Sequence, residues 1–280
     1  MIIDSETNLL YLADSLPVKY PEFTIGFRKS LVHHNIAFNY LNGTKDIWAV
    51  DYMPIQLAAN KFVGFKYLPD YLLRSAKERE TISDTDQICT TLGIDVVKSE
   101  IILDGGNIIR WKNKVIMTDK VIRENPSHKK TDLLNLLTEL FEVDQIILIP
   151  QDPYDEIGHS DGMIRFLDGD TVLLNDYSKE TKKFQNAVHK ALSEAGLAFE
   201  IIPYNPYANK YDLQATGVYI NYLQMEDVLF VPVYGMSEDD EVVRRLENLF
   251  PGLSIVPIES TEIADQGGVL NCICWNILKP

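Results

Sequence analysis

One spacing constrains this chain more than any other feature. Gly106, Gly162, Gly217 and Gly268 each open an apolar stretch, and they are separated by 56, 55 and 51 residues; Pro54 stands 52 residues before the first of them. Five intervals of this length use nearly the whole chain. A recurring period of this kind is the signature of a repeat architecture, in which each unit buries its apolar face only against its neighbours. The order inside each unit also recurs. Helical patterns run over Tyr20–His34, Leu72–Leu92, Lys130–Phe141, Lys179–Ala195 and Asp239–Leu249, with apolar residues at helical spacing such as Leu133, Leu137 and Leu140. A short apolar or alternating run follows each: Ile36–Tyr40, Asp95–Lys98, Gln145–Ile149, Phe199–Ile202 and Ser254–Ile258.

Polar loops follow those runs at Asp46–Pro54, Asp104–Asn107, Gly158–Gly162, Lys210–Gly217 and Asp265–Gly268. Hairpins then follow, one turning at Lys112–Lys114 and one at Asp168-Gly169, a strong turn dipeptide. The stretch from Gly217 to Val231 reads as a third copy. The expected fold is therefore α/β, with helix-plus-small-sheet units set around an axis. Ordinary α/β chains also alternate helices and strands. The polar loop at one point of every unit favours the repeat, and its consequence is functional: loops far apart in sequence would converge. No Gly/Ser linker divides the chain, so residues 1–280 read as a single domain.

Charge and cysteine content narrow the function. Lys plus Arg is 26 and Asp plus Glu is 41, giving a net charge of −15. A nucleic-acid binder needs a basic footprint, so none is expected; a small cationic partner suits the field, although charge of this kind also serves solubility alone. Cys89, Cys272 and Cys274 cannot form a disulfide scaffold and suit a reducing, cytoplasmic setting. Neither a signal peptide nor a membrane span is read, since runs such as Val228–Val233 are far too short. Nothing in the sequence sets the oligomeric state, and a homo-oligomer is one outcome it allows.

Four loops carry residues with chemistry. In Gly158-His159-Ser160-Asp161-Gly162 the imidazole and carboxylate are two apart and share a side of an extended segment, which allows either an acid/base beside a carboxylate or a turn that satisfies its own backbone. The other histidines, His33, His34, His128 and His189, have no ligand-like spacing, so no metal is expected. Trp48 and Asp51 could receive a planar cation, or plug the core and cap a turn. Asp104-Gly105-Gly106-Asn107 reads as a turn or as a backbone-lined site wall. Cys272, just past Gly267-Gly268, reads as a nucleophile or, with Cys274, as core packing.

Taken together and in this order, the loops resemble the agmatine deiminase and bacterial-type peptidylarginine deiminase family of the guanidine-modifying pentein superfamily. Trp48, Asp51 and Pro54 match its Trp-x-x-Asp-x-x-Pro segment. Asp104–Asn107 match Asp-Gly-Gly-Asn, and Gly158, His159 and Asp161, followed by Arg165-Phe166, match its Gly-His-x-Asp segment. Gly267, Gly268 and Cys272 match the glycine turn before the nucleophile. The resemblance implies a fivefold pseudosymmetric α/β propeller. It implies a Cys272 nucleophile, His159 as acid then base, and Asp51 and Asp161 as holders of a guanidinium. Trp48, Asp104, Gly105, Asn107, Arg165 and Gly268 are implied to line the substrate. The implied reaction turns a small cationic guanidine, such as agmatine or an arginine side chain, into a ureido product and ammonia, with no metal or organic cofactor. An amidinotransferase and a non-catalytic cation-binding relative are the alternatives. Val50 stands where the family commonly has Arg, and Asn271 where it commonly has His. Asp152, Asp155 and Glu156, near His159 in sequence, are expected either to attract a second positive group at the mouth or to form a solvated acidic loop.

Overall fold

Apolar rows at four-residue spacing dictate how the helices lie. The computed structural model describes residues 1–210 and 213–279; Tyr211 and Asp212, inside the expected loop 210–217, lie outside the described residues, as does Pro280. In the helix Pro21–His33, Phe23, Phe27 and Leu31 are buried, and proline begins the helix where its missing N–H has no intrahelical partner. Leu133, Leu137 and Phe141 form the same row in Lys130–Phe141, as do Phe184, Val188 and Leu192 in Lys182–Glu194. Each such side chain contributes about 2 kcal/mol by leaving water. The helices settle where two sheets meet: Lys182–Glu194, for example, touches strands of two adjacent sheets.

Fifteen strands among the described residues make five three-stranded sheets. They are β1 (Leu9–Ala13), β2 (Ala37–Leu41), β3 (Ile55–Ala58), β4 (Lys61–Lys66), β5 (Val96–Ile102), β6 (Ile109–Trp111), β7 (Lys114–Thr118) and β8 (Gln145–Ile149), then β9 (Ile164–Phe166), β10 (Thr171–Asn175), β11 (Ala198–Ile202), β12 (Leu223–Met225), β13 (Val228–Val233), β14 (Ser254–Glu259) and β15 (Cys274–Ile277). Four sheets repeat one pattern: an antiparallel hairpin, a helical crossover, and a third strand parallel to the hairpin's second, as in β6-β7-β8 and β9-β10-β11. The fifth is assembled from both ends of the chain. β15 pairs antiparallel with β1, Leu12 opposite Cys274, and β1 runs parallel to β2. The five-unit repeat is thus present, and the chain enters it inside a unit that its last strand completes.

The expected helix over 72–92 is three pieces instead: a short 3-10 turn at Asp70–Leu73, then Ala76–Arg79 and Thr85–Leu92. The breaks have a local cause. Ser75 accepts from the Glu78 N–H (3.1 Å) and Asp84 from the Gln87 N–H (3.0 Å), so two N-caps restart the helix inside one amphipathic stretch. The other predicted helices and strands agree with the structure to within a few residues. No helix among the described residues is long and apolar enough to cross a membrane.

Candidate active site

Every sheet opens with a strand that follows a tight turn, and those five turns meet. Asp51 lies on Ala49–Tyr52 before β3, Gly106 on Gly105–Asn107 before β6, and Asp161 on Ser160–Gly162 before β9. Asn221 stands two residues before β12 and Cys272 two before β15. The repeat therefore delivers one position from each unit to one place. Gly106 marks the centre of the convergence. A Cβ there would lie 2.7 Å from Asp51 Oδ1, 2.7 Å from His159 Nδ1 and 3.3 Å from Asp161 Oδ2, so the three polar groups close around a point that only glycine leaves empty. The Gly106 N–H donates to Asp51 Oδ1 at 3.0 Å.

Cys272 faces the same cavity as His159, Asp51 and Asp161. Its Sγ lies 3.5 Å from Asp161 Oδ2 and 3.2 Å from the Asn221 amide nitrogen, which donates to it. Asn221 Oδ1 accepts the Asn271 N–H at 3.0 Å, pinning the turn that carries the sulfur. Asn271 in turn donates its amide to Asp161 Oδ2 at 2.7 Å. Gly268 makes room for Trp48: a Cβ at Gly268 would lie 2.6 Å from the indole and 2.9 Å from Cys272 Cβ. The indole and the sulfur are thereby neighbours in the wall of one cavity.

His159 is held from two sides. Its Nε2 donates to Asp104 Oδ2 (2.9 Å), and its Nδ1 lies 3.4 Å from Asp51 Oδ1. Burial alone would lower the imidazole pKa, but Asp51 and Asp104 outweigh it and push it up to about 9. Burial pushes Asp51 up to about 7, with the neighbouring carboxylates adding to it and His159 opposing. Burial, Asp161 and Asp51 together hold the Cys272 thiol well above its ordinary range. The carboxylates thus crowd negative charge around Cys272 and Asp51, which a cation would relieve. A cation bound there would favour the thiolate, the reactive form of a cysteine.

The sign of the pH dependence follows. A carboxylate whose pKa is raised to about 7 is protonated below that pH, so Asp51 loses its charge, and with it any hold on a cation, as pH falls. If the site turns over a cationic substrate, its kcat/KM is expected to drop below pH 7, approaching roughly tenfold per pH unit for loss of one essential charge. A pH profile of initial rates checks this; a flat profile between pH 5 and 7 contradicts it.

Of the expected substrate-lining residues, Trp48 and Gly268 do line this cavity. Asp104, Gly105, Asn107 and Arg165 do not; they stand behind its wall. Asp104 braces His159. Gly105 packs directly on Val50: a Cβ there would lie 1.9 Å from the Val50 carbonyl oxygen. Asn107 Oδ1 accepts from the Thr118 N–H (2.8 Å) and the Ser160 N–H (3.2 Å), joining two units. Arg165 donates to Asn271 Oδ1 (2.9 Å), pairs with Asp4, and lies over the Tyr222 ring. The guanidinium is thus tied to Asn271 and Asp4 and covered by a ring, outside the lining of the cavity that holds Cys272. Val50 and Asn271, where this chain departs from the family pattern, line a separate cavity beside Gly105 and Arg165. Of the acidic trio, Asp152 and Asp155 line the site cavity, whereas Glu156 pairs with Arg74 outside it. Cys274 is 1% exposed in the core. No group of three or more metal-type ligands is assembled among the described residues.

Asn221, Tyr71 and Lys120 went unread in the sequence. Asn221 had a signal, being one polar residue within the apolar run Val218–Leu223, at the hairpin-opening point of its unit. Tyr71, in the 70–73 turn, lines the cavity with its ring 6.3 Å from the imidazole. Nothing local distinguishes it from any tyrosine near a surface turn.

The architecture has relatives. An agmatine deiminase of C. jejuni superposes with a TM-score of 0.79 over 99% of this chain and 95% of that one, at 20% identity. One from Enterococcus faecalis gives 0.77 over 100% and 95%, at 16% identity. The more distant DDAH of Pseudomonas aeruginosa, solved with citrulline, gives 0.59 over 96% and 99%, at 10% identity. Five blades closed by the chain's own ends, with the polar turns gathered at the axis, define the pentein fold. The sequence model of the Porphyromonas-type peptidyl-arginine deiminase family matches residues 24–277, and the chain belongs to that family. A putative agmatine deiminase of Photobacterium profundum is 24% identical over 225 residues, 69% of this chain and 62% of its own length. An agmatine deiminase of Stutzerimonas stutzeri is 24% identical over 61% of this chain and 56% of its own length. The match thus spans about three fifths of these curated relatives.

Proposed function

We propose that this chain is a cysteine-dependent deiminase of a small guanidine, acting as a single catalytic domain. One observation carries the reading: sulfur, imidazole and two carboxylates from three different units wall a single cavity. Asp51 and Asp161 accept the guanidinium N–H groups and fix its plane. The Cys272 thiolate adds to the guanidinium carbon. The C–N bond then breaks as His159 gives its proton to the departing ammonia, leaving an S-amidino group on Cys272. Water attacks that carbon, His159 takes its proton, and the C–S bond breaks to release a ureido product and the thiol. The related C. jejuni agmatine deiminase has been solved with substrate bound after its cysteine was changed to serine. This supports a cysteine-centred site in the fold. The three free thiols suit a cytoplasmic enzyme.

For the substrate we propose a guanidine with a second cationic group, agmatine-like. Asp152 and Asp155 face the cavity that holds Cys272, and Tyr204 donates to Asp152 at 2.8 Å. Two carboxylates in the wall favour an ammonium over a neutral tail. The test is ammonia release from a panel of agmatine, arginine, methylated arginines and arginine peptides, with and without an amine acceptor. Agmatine is expected to be the best substrate, with ammonia and ureido product in equal amounts. Release of amidinated acceptor instead of ammonia would make the chain an amidinotransferase. Asp152→Asn is expected to lower the preference for agmatine over a guanidine without an amine by about tenfold, or roughly 1.4 kcal/mol. An unchanged preference removes the second subsite.

A further inference from the structure

Lys120 opens the short helix Lys120–Glu124, where a lysine ordinarily reaches water. Here it is 1% exposed. Its ammonium lies 3.2 Å from Asp104 Oδ2, 3.4 Å from Glu124 and 3.8 Å from Asp70, and 4.8 Å from the centre of the Tyr71 ring. A buried ammonium is costly unless paired, and three carboxylates account for its being tolerated. They do not account for where it sits. Asp104 offers two oxygens. Oδ1 is buried with no partner, while Oδ2 takes both Lys120 and His159 Nε2. The ammonium has settled on the oxygen the imidazole already uses.

Around His159 the other groups are acidic or neutral. Asp51 lies 3.4 Å from Nδ1, and the Asp155 carboxylate accepts the His159 backbone N–H at 3.2 Å. Asp161 and Cys272 share the cavity, and Tyr71 presents its ring. Left alone, these carboxylates would grip an imidazolium and oppose release of its proton. Lys120 acts against them, lowering the proton affinity of His159.

We propose that Lys120 is a positioning residue for His159: by sharing Asp104 Oδ2 it loosens the imidazolium–carboxylate pair, so that His159 can pass its proton to the leaving amine. The kinetic consequence rests on the deiminase reading, whereas the placement of the charge does not.

The test follows the His159 imidazole by NMR titration in histidine-labelled protein, its signal assigned by its absence in His159→Gln. The first variant is the charge-balanced pair Lys120→Met with Glu124→Gln. Lys120→Gln, which keeps a hydrogen-bond donor near Asp104 without the charge, is the second should the first not fold. In either, the His159 midpoint is expected to rise by about one pH unit, the scale for removing a charge at this range. Agmatine kcat near neutral pH is expected to fall about tenfold, with KM changed far less. An unmoved midpoint in a folded variant overturns the proposal, since a purely structural lysine would leave the titration where it is. If the wild type releases no ammonia from any guanidine, the deiminase reading fails and the titration still decides the role of Lys120.

Discussion

Cys272→Ala is expected to lower ammonia release from guanidines by at least about 10⁴-fold, the scale for loss of a catalytic nucleophile. The fold is expected to survive. The sulfur faces a cavity, and its Asn221 and Asp161 neighbours keep their bonds to the Asn271 backbone and side chain. Cys274→Ala is the informative partner. It lies two residues beyond Cys272, opposite Leu12, sealed in the core. Its loss is expected to cost about 1 kcal/mol of stability and to leave turnover within about twofold. Steady-state rates with a thermal melt on each variant check both. The reverse pattern, with Cys274→Ala inactive and Cys272→Ala active, would refute the assignment of the nucleophile.

Asp161→Asn is expected to lower kcat/KM by about a hundredfold, the scale for removing one partner of a buried charged hydrogen bond. A second readout separates this from misfolding. Asp161 is one of the charges that hold the Cys272 thiol protonated. The asparagine variant is therefore expected to be alkylated faster at Cys272 in the absence of substrate, while turning over more slowly. Guanidines are expected to protect the wild-type thiol and to protect the variant less. Slower alkylation together with slower turnover would mean that Asp161 serves the fold and not the cation.

The repeat was legible in the sequence because its cause is local. Turn glycines, amphipathic rows such as Leu133, Leu137 and Phe141, and an Asp-Gly hairpin recur in step, and each is fixed by its own neighbours. What the sequence hides is the closure. Pairing of Leu12 with Cys274 joins residues from opposite ends of the chain, and no local pattern requires it. The break in 72–92 was hidden for a different reason: Ser75 and Asp84 compete with an apolar periodicity that looks continuous.

The same division runs through the site. His159, Asp161 and Cys272 stand in glycine-marked turns and Asp51 in one marked by Pro54, so all four could be picked out by chemistry and spacing. Arg165 could not be placed. An arginine three residues past the His-x-Asp-Gly turn is compatible with facing either side of a strand, and its partners Asp4 and Asn271 are brought to it only by the closed ring. Lys120 was invisible for a related reason. A lysine starting a helix normally points to water, and its burial depends on carboxylates from 16 residues before it and from the 70–73 turn.

The central claim is a covalent bond between Cys272 and a substrate carbon. Rapid acid quench under saturating agmatine, followed by peptide mass spectrometry, reads it directly in the wild type and in His159→Gln, which should slow both proton transfers. The expected result is an adduct with the mass of agmatine less ammonia, an alkyl-substituted amidino group, on the peptide carrying Cys272, absent from Cys272→Ala; an adduct with the mass of a bare amidino group would point to amidino transfer instead. Ammonia release with Cys272 unmodified at every time sampled, or an adduct confined to Cys89 or Cys274, would contradict it.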